Sequence, residues 1–399
     1  MKKELYALPW GTDDYLTDKQ FYNRVDEITF ISNLLKSTET TSPPTIMIPG
    51  FRGVGKTVLL KKIQKELDND YLICYLDLSL SYFYQIQNLN EINLMQFFYM
   101  SWIEACEKKG FNMTLDKIKK FFKTNKFKVQ EIKNFGEYPV PIPEKEIDNA
   151  ELMKFVLNLP QEIYENHNNK IKGVIMIIDE FQALKDLRDG LNGFLWLFRS
   201  IIQSQKNVAY VFSGSLNSKD EIIDKMASKN GAFGGRMLTI EIHPFSKDTT
   251  KNYLNEKVPA LLFDENGFER FYLCTQGIPH YINTFANILP KNVILDKKDI
   301  QNEFKNILPI LADHLRCQWA VLDLNQQFIL TSLINDPLKR KDIGEKISIA
   351  PNSLSRPLRK LLNSGLIENN NGKYNISDYI LKAWLKHEYE KYGVFPFRV

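Results

Sequence analysis

The residues with the clearest chemistry lie between Gly50 and Thr57, which match the pattern G-x-x-x-x-G-K-[ST]. Gly50 and Gly55 allow backbone turns that a side chain would block, so that consecutive N–H groups point at an anion. Lys56 supplies positive charge for the β- and γ-phosphates of a nucleotide, and the Thr57 hydroxyl suits Mg²⁺. We therefore expect a site for ATP or ADP with Mg²⁺. The residues predicted to bind the nucleotide here are Gly50, Arg52, Gly53, Val54, Gly55, Lys56, Thr57 and Val58.

A pair of carboxylates, Asp179 and Glu180, follows a run of apolar residues that begins at Gly173. We expect Asp179 to hold Mg²⁺ together with Thr57, and Glu180 to polarise the attacking water. The alternative is a pair of carboxylates that caps a helix. The phosphate-binding segment favours the catalytic interpretation, because ligands of open α/β sheets bind at the carboxyl ends of the strands.

Ser215 and Arg236 are further candidates for contact with the reacting phosphate. Ser215 ends the next apolar run and could reach the γ-phosphate, although hydroxyls are also common in turns. Arg236 follows Gly234 and Gly235 and could neutralise charge in the transition state, or it could form a surface ion pair. The residues alone leave both alternatives open.

Apolar runs that alternate with helical patterns must position these side chains. Such alternation predicts a parallel α/β sheet. The phosphate-binding segment lies between a strand and a helix, as this chemistry requires. The predicted strands are Thr45–Ile48, Tyr71–Asp77, Gly173–Ile178, Val208–Phe212 and Arg236–Ile242.

From about residue 246 the pattern of apolar residues becomes helical, which divides the chain into three parts. We predict an ATP-binding core at 1–245, a helical lid at 246–321 and a winged helix at 322–399, made of three short helices and a hairpin. Residues 82–163 show no strand pattern and predict a mainly helical insertion, in which Tyr138–Pro143 forms an extended connector. Lysines and phenylalanines alternate at 117–128, which indicates either a surface for a partner or an amphipathic helix. The helix is favoured.

One helix of the predicted winged helix, Ser353–Ser364, carries leucines on one face and basic residues on the other. The basic side is a candidate surface for duplex DNA, since recognition helices present such a face to the major groove. It could also be an ordinary soluble face. The basic residues proposed for this contact are Arg356, Arg359 and Lys360.

Composition gives only broad information about partners, compartment and membrane insertion. The formal net charge of +4 is too small to indicate a partner by itself. The cysteines, Cys74, Cys106, Cys274 and Cys317, are far apart, which predicts buried free thiols in a reducing compartment. No secretory leader is visible, and no apolar run approaches the ~18 residues of a membrane helix. We expect a cytoplasmic protein.

The order of these motifs resembles the archaeal-type ATPases. This group belongs to the signal-transduction ATPases with numerous domains and is related to the AAA+ origin-recognition initiators. The resemblance runs from about Leu16 to Trp384. The segments that carry it are Phe21–Ile28, Gly50–Thr57, Asp179–Gln182, Ser213–Ser215, Gly235-Arg236 and Gly277–Pro279.

The resemblance implies roles for several residues. Asn23, Arg24 and Glu27 would shape the adenine pocket, although Asn23 stands where the family usually has glycine. Ser215 would sense the γ-phosphate. Arg236 would be the arginine of the family's Gly-Arg pair, and Pro279 would pack on adenine.

Together these observations predict an ATPase that acts as a slow molecular switch and couples its nucleotide state to movement of the winged helix. The alternative is an initiator or regulator that binds duplex DNA under the control of ATP. The insertion at 82–163 is a candidate contact for a protein partner. The sequence does not show whether Arg236 acts in its own chain or on a neighbour, so a nucleotide-dependent oligomer stays open.

Overall fold

The computed structural model describes residues 8–9, 16–17, 20–40, 43, 45–111, 129–135, 138–143, 148–188, 190–215, 221–227, 231–233 and 237–397. The chain divides into two compact units. One comprises residues 23–242, and the other comprises residues 1–22 together with 243–399.

The unit at 23–242 is built on a sheet. Among the described residues this sheet has five strands, and all of them are parallel. Their order is β2-β5-β6-β1-β7. Every residue of β5 is buried, which explains its uninterrupted apolar sequence. The predicted parallel α/β sheet is therefore confirmed. The strands of this unit are β1 (Thr45–Pro49), β2 (Tyr71–Asp77), β3 (Val129–Phe135), β4 (Tyr138–Pro143), β5 (Gly173–Asp179), β6 (Val208–Gly214) and β7 (Met237–Thr239).

The helices of this unit connect and cover the strands. Those described are α1 (Val25–Lys36), α2 (Lys56–Leu67), α3 (Tyr82–Gln85), α4 (Glu91–Lys108), α5 (Asp148–His167), α6 (Gly190–Ile202) and α7 (Glu221–Ala227). Helix α2 begins at Lys56, so the last two residues of the phosphate-binding segment form its start. It buries Leu59, Leu60, Ile63 and Leu67, whose spacing places them on the face toward the core.

The insertion at 82–163 contains a hairpin that the sequence did not predict. Strands β3 and β4 pair antiparallel from Phe135 and Tyr138 to Val129 and Pro143. Tyr138–Pro143 is therefore extended as predicted, but it is a paired strand and not a connector. The prolines at alternate positions of β4 argued against pairing, because proline is usually excluded from the middle of a sheet. Tyr138, Val140 and Ile142 alternate with the prolines, and their backbone N–H groups can serve the pairing with β3. The lysine- and phenylalanine-rich stretch at 117–128 lies outside the described residues.

The second unit is mainly helical. Its helices are α8 (Lys247–Lys257), α9 (Glu265–Thr275), α10 (Pro279–Ile288), α11 (Lys297–Leu311), α12 (Asp313–Ala320), α13 (Leu324–Ser332), α14 (Arg340–Ile347), α15 (Ser355–Asn363) and α16 (Tyr379–Tyr392). Leu8 joins this unit through paired hydrogen bonds between its backbone and the Asn287 carboxamide. The short strands are β8 (Leu262–Phe263), β9 (Ile294–Leu295), β10 (Leu338–Lys339), β11 (Ile367–Asn370) and β12 (Lys373–Ile376).

Strand β12 pairs antiparallel with β10 on one side and β11 on the other. The predicted helix at Ser353–Ser364 is a 3₁₀ turn at Pro351–Leu354 followed by α15. Pro357 lies in the first turn of α15, where a missing N–H costs little. The division of this unit into a lid at 246–321 and a winged helix at 322–399 stays a prediction.

The cysteines differ in exposure. Cys74, Cys106 and Cys274 are buried, but Cys317 is exposed, so the prediction that all were buried was wrong at one position. Helix α12 buries Leu315 and Trp319, and Cys317 lies between them in sequence on the outer face. Across the described part of the chain, no helix combines the length and the apolar character needed to span a membrane.

Candidate functional site

The phosphate-binding segment lies between β1 and α2 and depends on its glycines. A methyl group added to Gly50 would stand 2.8 Å from the carbonyl oxygen of Ile242, closer than side chains pack. Gly55 has a φ of 95°, in the left-handed region that other residues rarely adopt. Both positions therefore need glycine for reasons of space or backbone shape.

Lys56 is buried and its ammonium group contacts the segment itself. Its Nζ donates to the carbonyl oxygens of Gly50 at 2.9 Å and Phe51 at 3.0 Å, and lies 3.4 Å from the Ser215 Oγ. Burial lowers the pKa of Lys56 to about 8, although the nearby carboxylates of Glu180 and Asp179 oppose this effect. The lysine is therefore a cation held in a poorly solvated place, where an added negative charge would stabilise it.

Thr57 and Asp179 are in direct contact. The Thr57 hydroxyl donates to Asp179 Oδ2 at 2.8 Å, and the Tyr75 hydroxyl donates to the same oxygen at 2.5 Å. The other carboxylate oxygen, Oδ1, accepts the backbone N–H of Glu180 at 2.9 Å. The predicted pair of metal-binding residues is thus brought together by β5 and the start of α2.

Glu180 follows β5 in a left-handed conformation, with a φ of 50°. Its carboxylate accepts a hydrogen bond from the Gln182 carboxamide, and its Oε1 lies 3.4 Å from the Ser215 Oγ. Burial, and then the neighbouring charge of Asp179, raise the pKa of Glu180. A raised pKa makes a carboxylate a stronger base.

Asn23 and Arg24 precede α1 in left-handed conformations, with φ values of 61° and 69°. Asparagine tolerates this conformation better than most residues other than glycine, which explains how Asn23 can replace the family's glycine. Arg24 is buried, pairs with Glu27 at 2.9 Å and approaches the carbonyl oxygen of Val54 at 3.5 Å. The box before the phosphate-binding segment therefore contacts that segment.

The other predicted residues have different positions. Arg52 is exposed, Val54 is buried and Val58 is half-buried. Arg236 lies outside the described residues. Pro279 is the first residue of α10, in the second unit. The roles assigned to these residues stay predictions.

Tyr75 and Gln182 are site residues that the sequence interpretation missed. A tyrosine within a buried strand needs a partner for its hydroxyl, and this signal could have singled out Tyr75. Gln182 lies two residues after Glu180, but nothing in its spacing indicates that its carboxamide turns back to the carboxylate.

The arrangement brings a lysine, a hydroxyl–carboxylate pair and a second carboxylate to the carboxyl ends of β1, β5 and β6. This is the edge at which open parallel sheets bind ligands. A cation for phosphate, oxygen atoms for a hard metal ion and a base for water are the groups that phosphoryl transfer to water requires.

A family model described as an ATPase domain predominantly from Archaea matches residues 21–285. The chain belongs to this family. It is therefore an ATPase that binds ATP, as predicted, and its motifs lie within the matched residues. No curated protein matches the chain in sequence.

Two solved structures are similar to this chain to different degrees. A Walker-type ATPase of Pyrococcus abyssi is similar, with a TM-score of 0.61, 17% identity, and coverage of 94% of this chain and 99% of that chain. Cdc6p of Pyrobaculum aerophilum is similar at a TM-score of 0.40 and 13% identity, with 96% of each chain covered. The first likeness, with the parallel sheet, confirms the predicted α/β P-loop ATPase fold.

Proposed function

We propose that this ATPase is a slow molecular switch that couples its nucleotide state to movement of the winged helix predicted at 322–399. The contacts of Lys56 carry this proposal. Its ammonium is bonded to the carbonyls of Gly50 and Phe51 and lies near Ser215, which in turn lies near Glu180. Bound phosphates would compete for the ammonium and would change the partners of Ser215 and Glu180.

Thr57 and Asp179 fit a magnesium ion. They present a hydroxyl and a carboxylate 2.8 Å apart, and Mg²⁺ is commonly held by one or two such groups together with substrate phosphates and water. When bound, the ion would supply charge neutralisation at the phosphates. Thr57 and Asp179 would hold it.

Glu180 is proposed to orient the attacking water and to take its proton. Its raised pKa favours this role, and the hydrogen bond from Gln182 fixes the direction of the carboxylate. Ser215 is proposed to contact the γ-phosphate beside Lys56. By contrast, Ser213 is fully buried, and its hydroxyl has no hydrogen-bond partner among the described residues.

Roles for Arg236 and Pro279 are proposed from the resemblance to the archaeal-type ATPases. Arg236 would neutralise charge on the transferred phosphoryl group, either in its own chain or in a neighbour within a nucleotide-dependent oligomer. Pro279 would pack on the adenine ring.

The switch is tested by the distance between labels placed on the two units. We would introduce cysteines at the exposed Lys206 and Lys386, replace exposed Cys317 by serine, and attach spin labels. With ATP and Mg²⁺, the Glu180→Gln variant is expected to show a shifted distance distribution, because it keeps the ATP state. The Lys56→Ala variant should show no shift. Equal distributions with and without bound ATP would contradict the switch.

The second candidate function is ATP-regulated binding of duplex DNA. The exposure pattern of α15 and the turn before it supports it, since Leu354, Leu358 and Leu361 are buried. The basic residues Arg356, Arg359 and Lys360 are exposed, although Lys360 lies 3.7 Å from Asp323. A helix with this pattern can pack on its unit and still present a basic face.

If this face binds DNA, affinity for a duplex should fall steeply with salt, because phosphate contacts release counterions. The double variant Arg356→Ala, Arg359→Ala should weaken binding and reduce the slope of log K against log salt by about two. ATP binding should not change. The measurement is a salt series of fluorescence anisotropy titrations.

A matched control removes two exposed lysines from α11 of the same unit, as Lys297→Ala with Lys305→Ala. It should leave the slope nearly unchanged. Absence of duplex binding by the parent protein at low salt, in either nucleotide state, would remove the DNA function and leave the switch with another partner.

A further inference from the structure

Tyr75 lies on β2, next to β5 in the sheet, and its hydroxyl reaches across to the carboxylate of Asp179. The distance to Asp179 Oδ2 is 2.5 Å. In the register of the two strands, Tyr75 is paired with Ile177 and Asp77 with Asp179. Tyr75 is thus two pairs back from the strand ends, and its hydroxyl still reaches Asp179.

The surroundings of Tyr75 keep it a neutral donor. The hydroxyl donates to Asp179 Oδ2, and a phenol, whose ordinary pKa is about 10, keeps its proton at physiological pH. The ammonium of Lys61 lies 3.6 Å from the centre of its ring, which adds a cation–π contact that fixes the ring. A phenol of this kind can only donate to a carboxylate.

The hydrogen bonds to Asp179 show what Tyr75 contributes. A carboxylate offers about four lone-pair positions. Among the described contacts, Oδ2 accepts from Thr57 and Tyr75, and Oδ1 accepts from the backbone of Glu180. One position is left on Oδ1. The Tyr75 bond therefore restricts rotation of the carboxylate and leaves an acceptor position on Oδ1 free of Tyr75.

We propose that Tyr75 is a positioning residue that orients Asp179 for magnesium-dependent binding of ATP. This inference rests on the magnesium role proposed above for Thr57 and Asp179. In this proposal Tyr75 contacts Asp179 and neither nucleotide nor metal. Its effect passes through Asp179, so its loss should be felt only when magnesium is present.

The test is the ratio of ATP affinity in Mg²⁺ to ATP affinity in a chelator, measured by titration with fluorescent ATP. Tyr75→Phe keeps the ring and removes only the hydroxyl. We expect the ratio to fall about tenfold, as for the loss of one hydrogen bond to a charged group, with unchanged affinity in the chelator. Misfolded protein would lower the number of binding sites and not this ratio.

The matched control is Tyr71→Phe. Tyr71 lies on the same strand and its hydroxyl bonds to the carboxylate of Glu39, away from the site, so this variant should keep the parental ratio. A second measurement uses the Asp179→Asn background. If Tyr75 acts through Asp179, then adding Tyr75→Phe to Asp179→Asn should produce no further loss.

The outcomes separate the inference from the proposed function. If the parent's ATP affinity responds to Mg²⁺ and Tyr75→Phe keeps the same ratio, the inference is overturned alone. An equal loss of affinity with and without Mg²⁺ would also overturn it, because the effect would then be structural. A parent whose ATP affinity ignores Mg²⁺ would overturn both the magnesium role and the inference.

Discussion

Lys56→Ala is expected to abolish nucleotide binding at concentrations that saturate the parent protein. The substitution removes the buried ammonium next to Gly50 and Phe51, which we propose balances the charge of the phosphates. Each charge-assisted hydrogen bond contributes about 1.5–3 kcal/mol, so the loss should be roughly a hundredfold or more. Titration with fluorescent ATP measures it, and thermal unfolding checks that the variant is folded.

The control for this variant is Lys65→Ala, which removes an exposed lysine from the same helix, α2. Its affinity for ATP should equal that of the parent. If Lys56→Ala binds ATP as tightly as Lys65→Ala does, the proposed phosphate contact is wrong.

The pH dependence of binding is a companion measurement. Lys56 has a pKa of about 8 in the free protein, so it is charged below this pH and neutral above it. Bound phosphates would stabilise the ammonium and raise its pKa, so binding would take up a proton above pH 8. Above pH 8, affinity should therefore fall as pH rises, by up to about tenfold per unit, whereas below pH 8 this lysine should cause no pH dependence. The residual binding of Lys56→Ala should lack this dependence.

Glu180→Gln is expected to keep ATP bound while turnover falls about 10²–10⁴-fold, the usual loss on removal of a general base. The amide has nearly the shape of the carboxylate, and its oxygen can still accept from Gln182. It cannot take a proton from water. Phosphate release under saturating ATP measures turnover, and the binding titration measures affinity.

The chain offers a matched control in Glu162 on α5. Burial raises the pKa of this carboxyl too, to about 7, but Glu162 lies outside the strand ends that form the site. Glu162→Gln should leave turnover near the parental value. Parental turnover in Glu180→Gln would show that another group activates the water.

The local patterns made the central part of the site predictable. The glycines and lysine of the phosphate-binding segment lie within eight consecutive residues, and Asp179 and Glu180 directly follow the apolar run of β5. Each of these signals fits within a dozen residues, so neither the strand order nor the register is needed to interpret it. The fold class followed from the same alternation of strands and helices.

The remaining part depends on contacts between distant segments. Tyr75 donates a hydrogen bond to Asp179 because β2 lies beside β5 in the sheet. The sequence of neither strand predicts that the two are neighbours. Ser215 lies between Lys56 and Glu180 because β6 separates β5 from β1. The sequence placed each of these residues at a strand end or in a strand, but it did not show which of them meet.

The prolines of β4 also determine how this hairpin meets other chains. Pro139, Pro141 and Pro143 alternate along the strand, so the edge that faces away from β3 has carbonyl acceptors but lacks N–H donors at these positions. An approaching strand would find too few partners there to extend the ribbon. The edge therefore resists aggregation and excludes recognition by strand addition. A protein that docks on this edge must use side-chain contacts.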